Sequence, residues 1–243
     1  MSFIPRSQTF RYVVLSILAI SLWIRFRRSP PRDIELLEYF ESAESTTPLG
    51  SVPISALHER ELWHRGVRLL VFDRRDGAAA ARVLTLRRTA ELVTCPAAWT
   101  LVGEHRRPCE SVLEACLRGA REELGAPAGA SAAELGLRAL PGKRFQTIVR
   151  IVRGDNTCAG YGAARGERTV LDVCALEYDG SWPLRFDEEV QDTRWLTPEA
   201  LVSETATQPQ NFCCDDLART FAPSVIAAIE ANSPSRQWRQ DRR

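Results

Sequence analysis

The apolar positions of this chain recur with two periods. Val67 to Phe72 is apolar except for Arg68, and it predicts a strand. Arg82 to Arg88 alternates, with Val83, Thr85 and Arg87 on one side and Leu84, Leu86 and Arg88 on the other. Asp73 to Gly77 reads as the turn between them, which makes a hairpin. Phe145 to Val152 and Thr169 to Tyr178 predict two further strands, and Ile34 to Phe40 fits either a short helix or an entry strand. The helical period appears after residue 110. Leu113, Leu117, Ala120 and Leu124 recur at spacings of three and four, with Gly125 as a stop. A loop carrying Gly103, Glu104 and His105 leads into that helix. Another helix starts near Thr197-Pro198-Glu199, where proline suits the first turn, and Cys214 to Ile229 reads as a C-terminal helix. Ser42 to Gly50, Pro127 to Glu134 and Gly154 to Gly166 read as loops.

The first residues stand apart. Tyr12 to Ile24 is an uncharged, largely apolar run of 13 residues, shorter than the about 20 that a spanning helix wants. It is flanked by arginines, and residues 1–32 hold no acidic side chain. The segment reads as an N-terminal membrane anchor, with possible membrane association through residues 12–24, or as an organelle transit peptide for a mitochondrion or plastid. If it is an anchor, the denser arginines after it favour a cytosolic body. The expected organisation is therefore an anchor or targeting segment over 1–32, a globular domain over 33–225 and a basic polar tail over 226–243.

Charge and cysteine content narrow the classes. Setting aside the six arginines of residues 1–32 leaves 26 basic against 31 acidic side chains, so the body is mildly acidic and offers no footprint for nucleic acid. Seven cysteines with no C-x-x-C pair indicate neither a zinc site nor a secreted disulfide framework. Cys116 reads as a core residue, and Cys213-Cys214 suggests no assignable chemistry.

The helix carries the candidate chemistry. Glu122 and Glu123 are adjacent at its end, and two carboxylates on a rigid helix suit a hard cation that also binds phosphate oxygens. The plain alternative is a solvated helix with Glu114 and Arg118 as an i,i+4 pair. The spacing resembles the Nudix box: Gly, five residues, Glu, seven residues, then Arg-Glu-x-x-Glu-Glu-x-Gly. Here Glu110 is followed by seven residues and then by Arg118-Gly119-Ala120-Arg121-Glu122-Glu123-Leu124-Gly125. Gly103 lies one residue too far from Glu110, and Gly119 stands where the first helix glutamate belongs. The resemblance implies an α/β/α sandwich with a mixed β-sheet, a small-molecule diphosphate substrate and Mg2+ or Mn2+. It implies Glu122 and Glu123 as catalytic residues and, with Glu167, as metal ligands. Arg88 and Arg118 would bind substrate, with Arg118 also paired to Glu110. Gly103, Glu110 and Gly125 would be structural. With Gly119 in place, a third ligand would come from the Gly103 or Glu104 carbonyl, the Glu104 side chain or Glu167.

The stretch before the helix is similar to the type I isopentenyl-diphosphate isomerase branch of the same superfamily. His58, His64 and His105 are the chain's three histidines, and all fall at positions matching that branch's metal-binding histidines. They would form a second divalent-metal site. The branch also has a cysteine near Gly103, lysines near Leu92 and Val93, and a second acidic residue near Thr169, which this sequence lacks. The implied function is a Nudix-type diphosphate hydrolase. The alternatives are an isomerase-like enzyme and a catalytically decayed Nudix-fold binding domain.

Overall fold

The computed structural model describes residues 35–73, 75, 82–154 and 166–213. In order, the elements are β1 (Leu36–Tyr39), β2 (Gly50–Pro53), α1 (Ile54–Glu59), β3 (His64–Asp73), β4 (Arg82–Arg88), β5 (Trp99–Thr100), β6 (Val102–His105), α2 (Val112–Leu124), β7 (Leu137–Ala139), β8 (Gln146–Ile151), β9 (Glu167–Tyr178), β10 (Val190–Leu196) and α3 (Pro198–Thr207). The main sheet runs β10-β4-β3-β9-β7, with β5 on β4, β6 on β3 and β8 on β9, while β1 and β2 pair separately. β3 and β9 are parallel from His64↔Thr169 to Asp73↔Tyr178, and the other pairs are antiparallel. The sheet is therefore mixed, as expected.

Both faces of the sheet are covered, which is why its central strands read as nearly continuous apolar runs. Val67, Leu69 and Val71 of β3 and Cys174, Leu176 and Tyr178 of β9 pack with Ala115, Cys116, Ala120 and Leu124 of α2. On the opposite face Leu70, Phe72, Val173 and Ala175 pack with Leu201 of α3 and with Phe212. These layers are the expected α/β/α sandwich.

α2 starts at a capping box in which Ser111 accepts from Glu114 N–H while Glu114 accepts from Ser111 N–H. It ends at Gly125, whose left-handed φ of 71° suits a residue without a Cβ. The helix is rotated from the expected stripe. Its buried residues are Ala115, Cys116, Gly119, Ala120 and Leu124, and Leu113 is exposed. Small side chains bring the helix close to β3 and carry little hydropathy, so the larger leucines misdirect the reading. Glu114 serves the cap, while Arg118 ion-pairs with Glu104, Glu110 and Glu122.

Two further expectations are corrected. Gly103 to His105 belongs to β6 rather than to a loop, because its backbone completes the edge of β3 through Arg68↔Gly103, Val67↔Glu104 and Gly66↔His105. Although the sequence indicates no disulfide framework, four cysteines form the bridges Cys95–Cys213 and Cys116–Cys174. Cys116 is fully buried as expected, but bonded. Of the stretch expected as a short helix or entry strand, Leu36–Tyr39 forms strand β1. The expected membrane segment at residues 12–24 and the helix at 214–229 lie outside the described residues. Among the described residues no helix is long and apolar enough to cross a membrane.

Candidate active site

β6 separates two clusters. Successive side chains of a strand point to opposite faces. Glu104 pairs in register with Val67, whose side chain lies in the α2 layer, and His105 pairs with Gly66. Glu104 therefore faces the box helix and His105 faces the other side.

On the α2 face, Arg118 is the organising cation. Its Nε and Nη2 donate to the two oxygens of Glu110 at 2.9 and 3.0 Å. Its Nη1 lies 3.0 Å from Glu104 Oε2 and 3.1 Å from Glu122 Oε2. This two-pronged contact with Glu110 and the sharing of one nitrogen fix the carboxylates as a group. The surrounding carboxylates hold the Arg118 pKa above its ordinary value despite burial. Glu122 is exposed and also lies 3.6 Å from Arg107. Glu123 is half-buried, and burial together with Asp187, Glu104, Glu189 and Glu122 pushes its carboxyl up to about 7. Burial also raises Glu104 against the pull of Arg118.

This donor set suits a divalent cation. Mg2+ takes oxygen ligands from one or two carboxylates, and the like charges that add to burial in raising the Glu123 carboxyl mark a concentration of negative charge that such a cation relieves. Asp187 and Glu189 belong to this patch and were not singled out from the sequence, although the run Asp187-Glu188-Glu189 was a signal.

Arg88 is held on the neighbouring strand. Its Nε donates to the Thr94 carbonyl at 3.0 Å, and its Nη2 lies 4.0 Å from Glu189 Oε2. Glu189 thus connects Arg88 to the carboxylate patch.

On the opposite face, α1 supplies His58, the start of β3 supplies His64 and the end of β6 supplies His105. One ring nitrogen from each falls within 4.8 Å of the others. Glu167, at the start of β9, lies 3.1 Å from His58 Nδ1 and 3.0 Å from His64 Nε2. Strand alternation from Thr169, the register partner of His64, puts it on the His64 side of the sheet. Glu167 therefore joins the histidines, not Glu122 and Glu123, which corrects the ligand set implied by the resemblance. The β3–β9 parallel register, which no local pattern encodes, is the cause.

His64 Nδ1 lies 3.2 Å from the Leu62 carbonyl, which assigns the ring proton to that nitrogen. Nε2 is buried 3.0 Å from Glu167 Oε1, without hydrogen-bond geometry. His105 keeps some exposed surface. Burial and the neighbouring His64, His58 and Arg68 nevertheless draw its pKa down to about 3, leaving a neutral ring.

A Cβ at Gly103 would lie 1.6 Å from Arg68 Nη1, the end of a flexible side chain. The space near which the isomerase branch keeps a cysteine is thus filled by a guanidinium. Thr169, near the branch's second acid, donates to the His64 carbonyl at 3.4 Å.

Comparison with known proteins gives a consistent picture. The sequence profile of the NUDIX domain matches residues 62–213. The Isopentenyl-diphosphate Delta-isomerase of Leifsonia xyli subsp. xyli (strain CTCB07) is 31% identical over 188 residues, covering 76% of this chain and 87% of that protein. Among solved structures, DR0079 from Deinococcus radiodurans aligns with a TM-score of 0.47 and 21% identity over 72% of this chain and 90% of that one. RenU, a Nudix hydrolase from M. smegmatis, aligns with a TM-score of 0.39 and 20% identity over 58% of this chain and 74% of that one.

Proposed function

This chain belongs to the NUDIX domain family, and from that premise we propose that it hydrolyses a diphosphate linkage in a small-molecule substrate, using Mg2+ or Mn2+. The observation that carries this reading is the group of carboxylates that Arg118 ties together on the box-helix face, Glu104, Glu110 and Glu122 at 2.9 to 3.1 Å. Glu123, half-buried beside them, is the base of this reading. The oxygen of a water attacks one phosphorus, its proton passes to Glu123, and the bridging P–O bond breaks with its electron pair leaving on the second phosphate. A bound divalent ion would stabilise phosphate charge and lower the pKa of the water. Glu122 completes the carboxylate pair, and Arg118 keeps it oriented through its ties to Glu110 and Glu104. Arg88, one carboxylate away at Glu189, is placed to meet substrate phosphate.

A second reading, isomerisation of an isoprenoid diphosphate, is favoured by the convergence of His58, His64, His105 and Glu167 and by the Leifsonia relative. Proton addition and removal need an acid and a base on opposite sides of a double bond. With Gly103 and Thr169 at the matching places, the residues for that pair are not those of the isomerase branch.

The test assays the full chain with and without Mg2+ on nucleoside, sugar, dinucleotide and isoprenyl diphosphates. Metal-dependent phosphate release that disappears in a Glu122→Gln/Glu123→Gln variant supports hydrolysis. An isoprenyl diphosphate rearranged without phosphate release supports the second reading. No turnover by the folded protein leaves a catalytically decayed binding domain.

A further inference from the structure

The members of the histidine cluster are not all anchored alike. His64, His105 and Glu167 ride on β3, β6 and β9, strands paired within one sheet. His58 rides on α1, a helix of six residues outside that sheet. Glu61 lies in the turn that leads from α1 into β3. Its φ of 51° falls in the left-handed region, where a residue with a Cβ stays only if its surroundings hold it. The surroundings are the ends of β8 and β9. Glu61 Oε1 accepts the N–H of Arg153, just past β8, at 2.9 Å, and Oε2 lies 3.5 Å from Nη2 of Arg168 in β9. These partners are 92 and 107 residues away in sequence. Arg153 Nη2 also donates to the Glu59 carbonyl at 3.3 Å. Between its two contacts the Glu61 side chain crosses Gly166, where a Cβ would overlap Glu61 Cγ, Cδ and Oε1. The close approach exists because residue 166 has no Cβ.

These contacts lead to His58. Its Nδ1 lies 3.4 Å from the Gly166 carbonyl and 3.1 Å from Glu167 Oε2. The Glu61 N–H donates to the His58 carbonyl at 3.4 Å. We propose that Glu61 is the positioning residue for His58: its carboxylate latches the turn after α1 to the ends of β8 and β9, and so sets His58 against Glu167, His64 and His105. Glu61 is not itself a ligand, since its two oxygens are turned to Arg153 and Arg168. The proposal rests on reading the histidines as a divalent-metal site. Three imidazoles and a carboxylate are a donor set suited to a transition ion. The grip of such a set depends on the outer contacts that hold each ligand in place.

A Glu61 that merely stabilises the fold makes a different prediction. The full chain is stripped of metal with a chelator and titrated with Co2+, whose visible absorption bands report the ligands around the ion. The part of the signal lost in His64→Ala reports the histidine cluster. Glu61→Gly removes the carboxylate and suits the left-handed backbone, so the turn is kept. It should weaken Co2+ binding at the cluster by roughly tenfold or more and alter the bands. Glu61→Gln keeps an acceptor for the Arg153 N–H and should lose less. Melting curves of the metal-free variants confirm that folded protein is compared. Parent-like Co2+ affinity and bands in Glu61→Gly, alongside their loss in His64→Ala, overturn the latch and leave the metal site standing. A parent that binds no Co2+, or whose Co2+ signal survives His64→Ala intact, overturns the metal reading and the latch with it.

Discussion

Arg118 and Glu110, eight residues apart, face each other through two parallel hydrogen bonds of 2.9 and 3.0 Å, one from Nε and one from Nη2. Arg118 is 12% exposed and Glu110 13%, so the pair sits largely out of water. Removing the cation leaves the carboxylates of Glu110 and Glu104 buried without it. Arg118→Ala is therefore expected to lower stability by about 3–5 kcal/mol, and Arg118→Lys by less, since an ammonium keeps charge but not the fork. Urea unfolding of both variants measures this.

The histidine cluster predicts metal-linked stability. A transition ion held by His58, His64, His105 and Glu167 would bind the folded chain and not the unfolded one. At one hundred times its dissociation constant, such an ion adds about 2.7 kcal/mol. Melting with Zn2+ or Mn2+ against a chelator should show the increase, and His64→Ala should remove it. An unchanged melting temperature across these conditions would count against a metal at this cluster.

Glu123 predicts a pH dependence with a definite sign. Its folded pKa, about 7, lies above its ordinary 4.5, so the folded chain binds the proton more tightly. Its contribution to stability is fully present below pH 4.5 and is lost as pH rises through 7. His105 acts in the opposite sense, since its lowered pKa of about 3 contributes stability above 6.5 that is lost as pH falls toward 3. Replacing Glu123 separates the two. Glu123→Gln should gain stability relative to the parent between pH 5 and 8, and Mg2+ should stabilise the parent more at pH 8 than at pH 5. Melting curves across that range read both effects.

The Cys116–Cys174 bridge ties α2 to β9 across 58 residues. Closing a loop of that size contributes about 4 kcal/mol in the chain-entropy account. Thiol labelling of unreduced, denatured protein should spare Cys95, Cys116, Cys174 and Cys213 and modify Cys109, which is exposed and free. Mass spectrometry of the labelled peptides gives the answer, and Cys116→Ala/Cys174→Ala should unfold at lower urea.

Local rules made much of this protein legible in its residues. The strands β3, β4, β8 and β9 follow from apolar runs and alternation, because the pleat repeats every second residue whatever lies beside it. The end of α2 at Gly125 and the start of α3 at Thr197-Pro198 are also local, since caps involve only the adjoining turn. The adjacency of Glu122 and Glu123 on one helix end belongs to the same class. Tertiary structure decided the rest. The parallel register of β3 with β9 joins residues about a hundred positions apart and moved Glu167 to the histidines. The close approach of α2 to the sheet selected the face of Ala115, Cys116, Gly119 and Ala120 over that of Leu113. The same approach set Gly119 against Glu104. Sequence periodicity states which residues share a face of their own element. It carries no term for which element that face will meet, and both candidate clusters depend on that meeting.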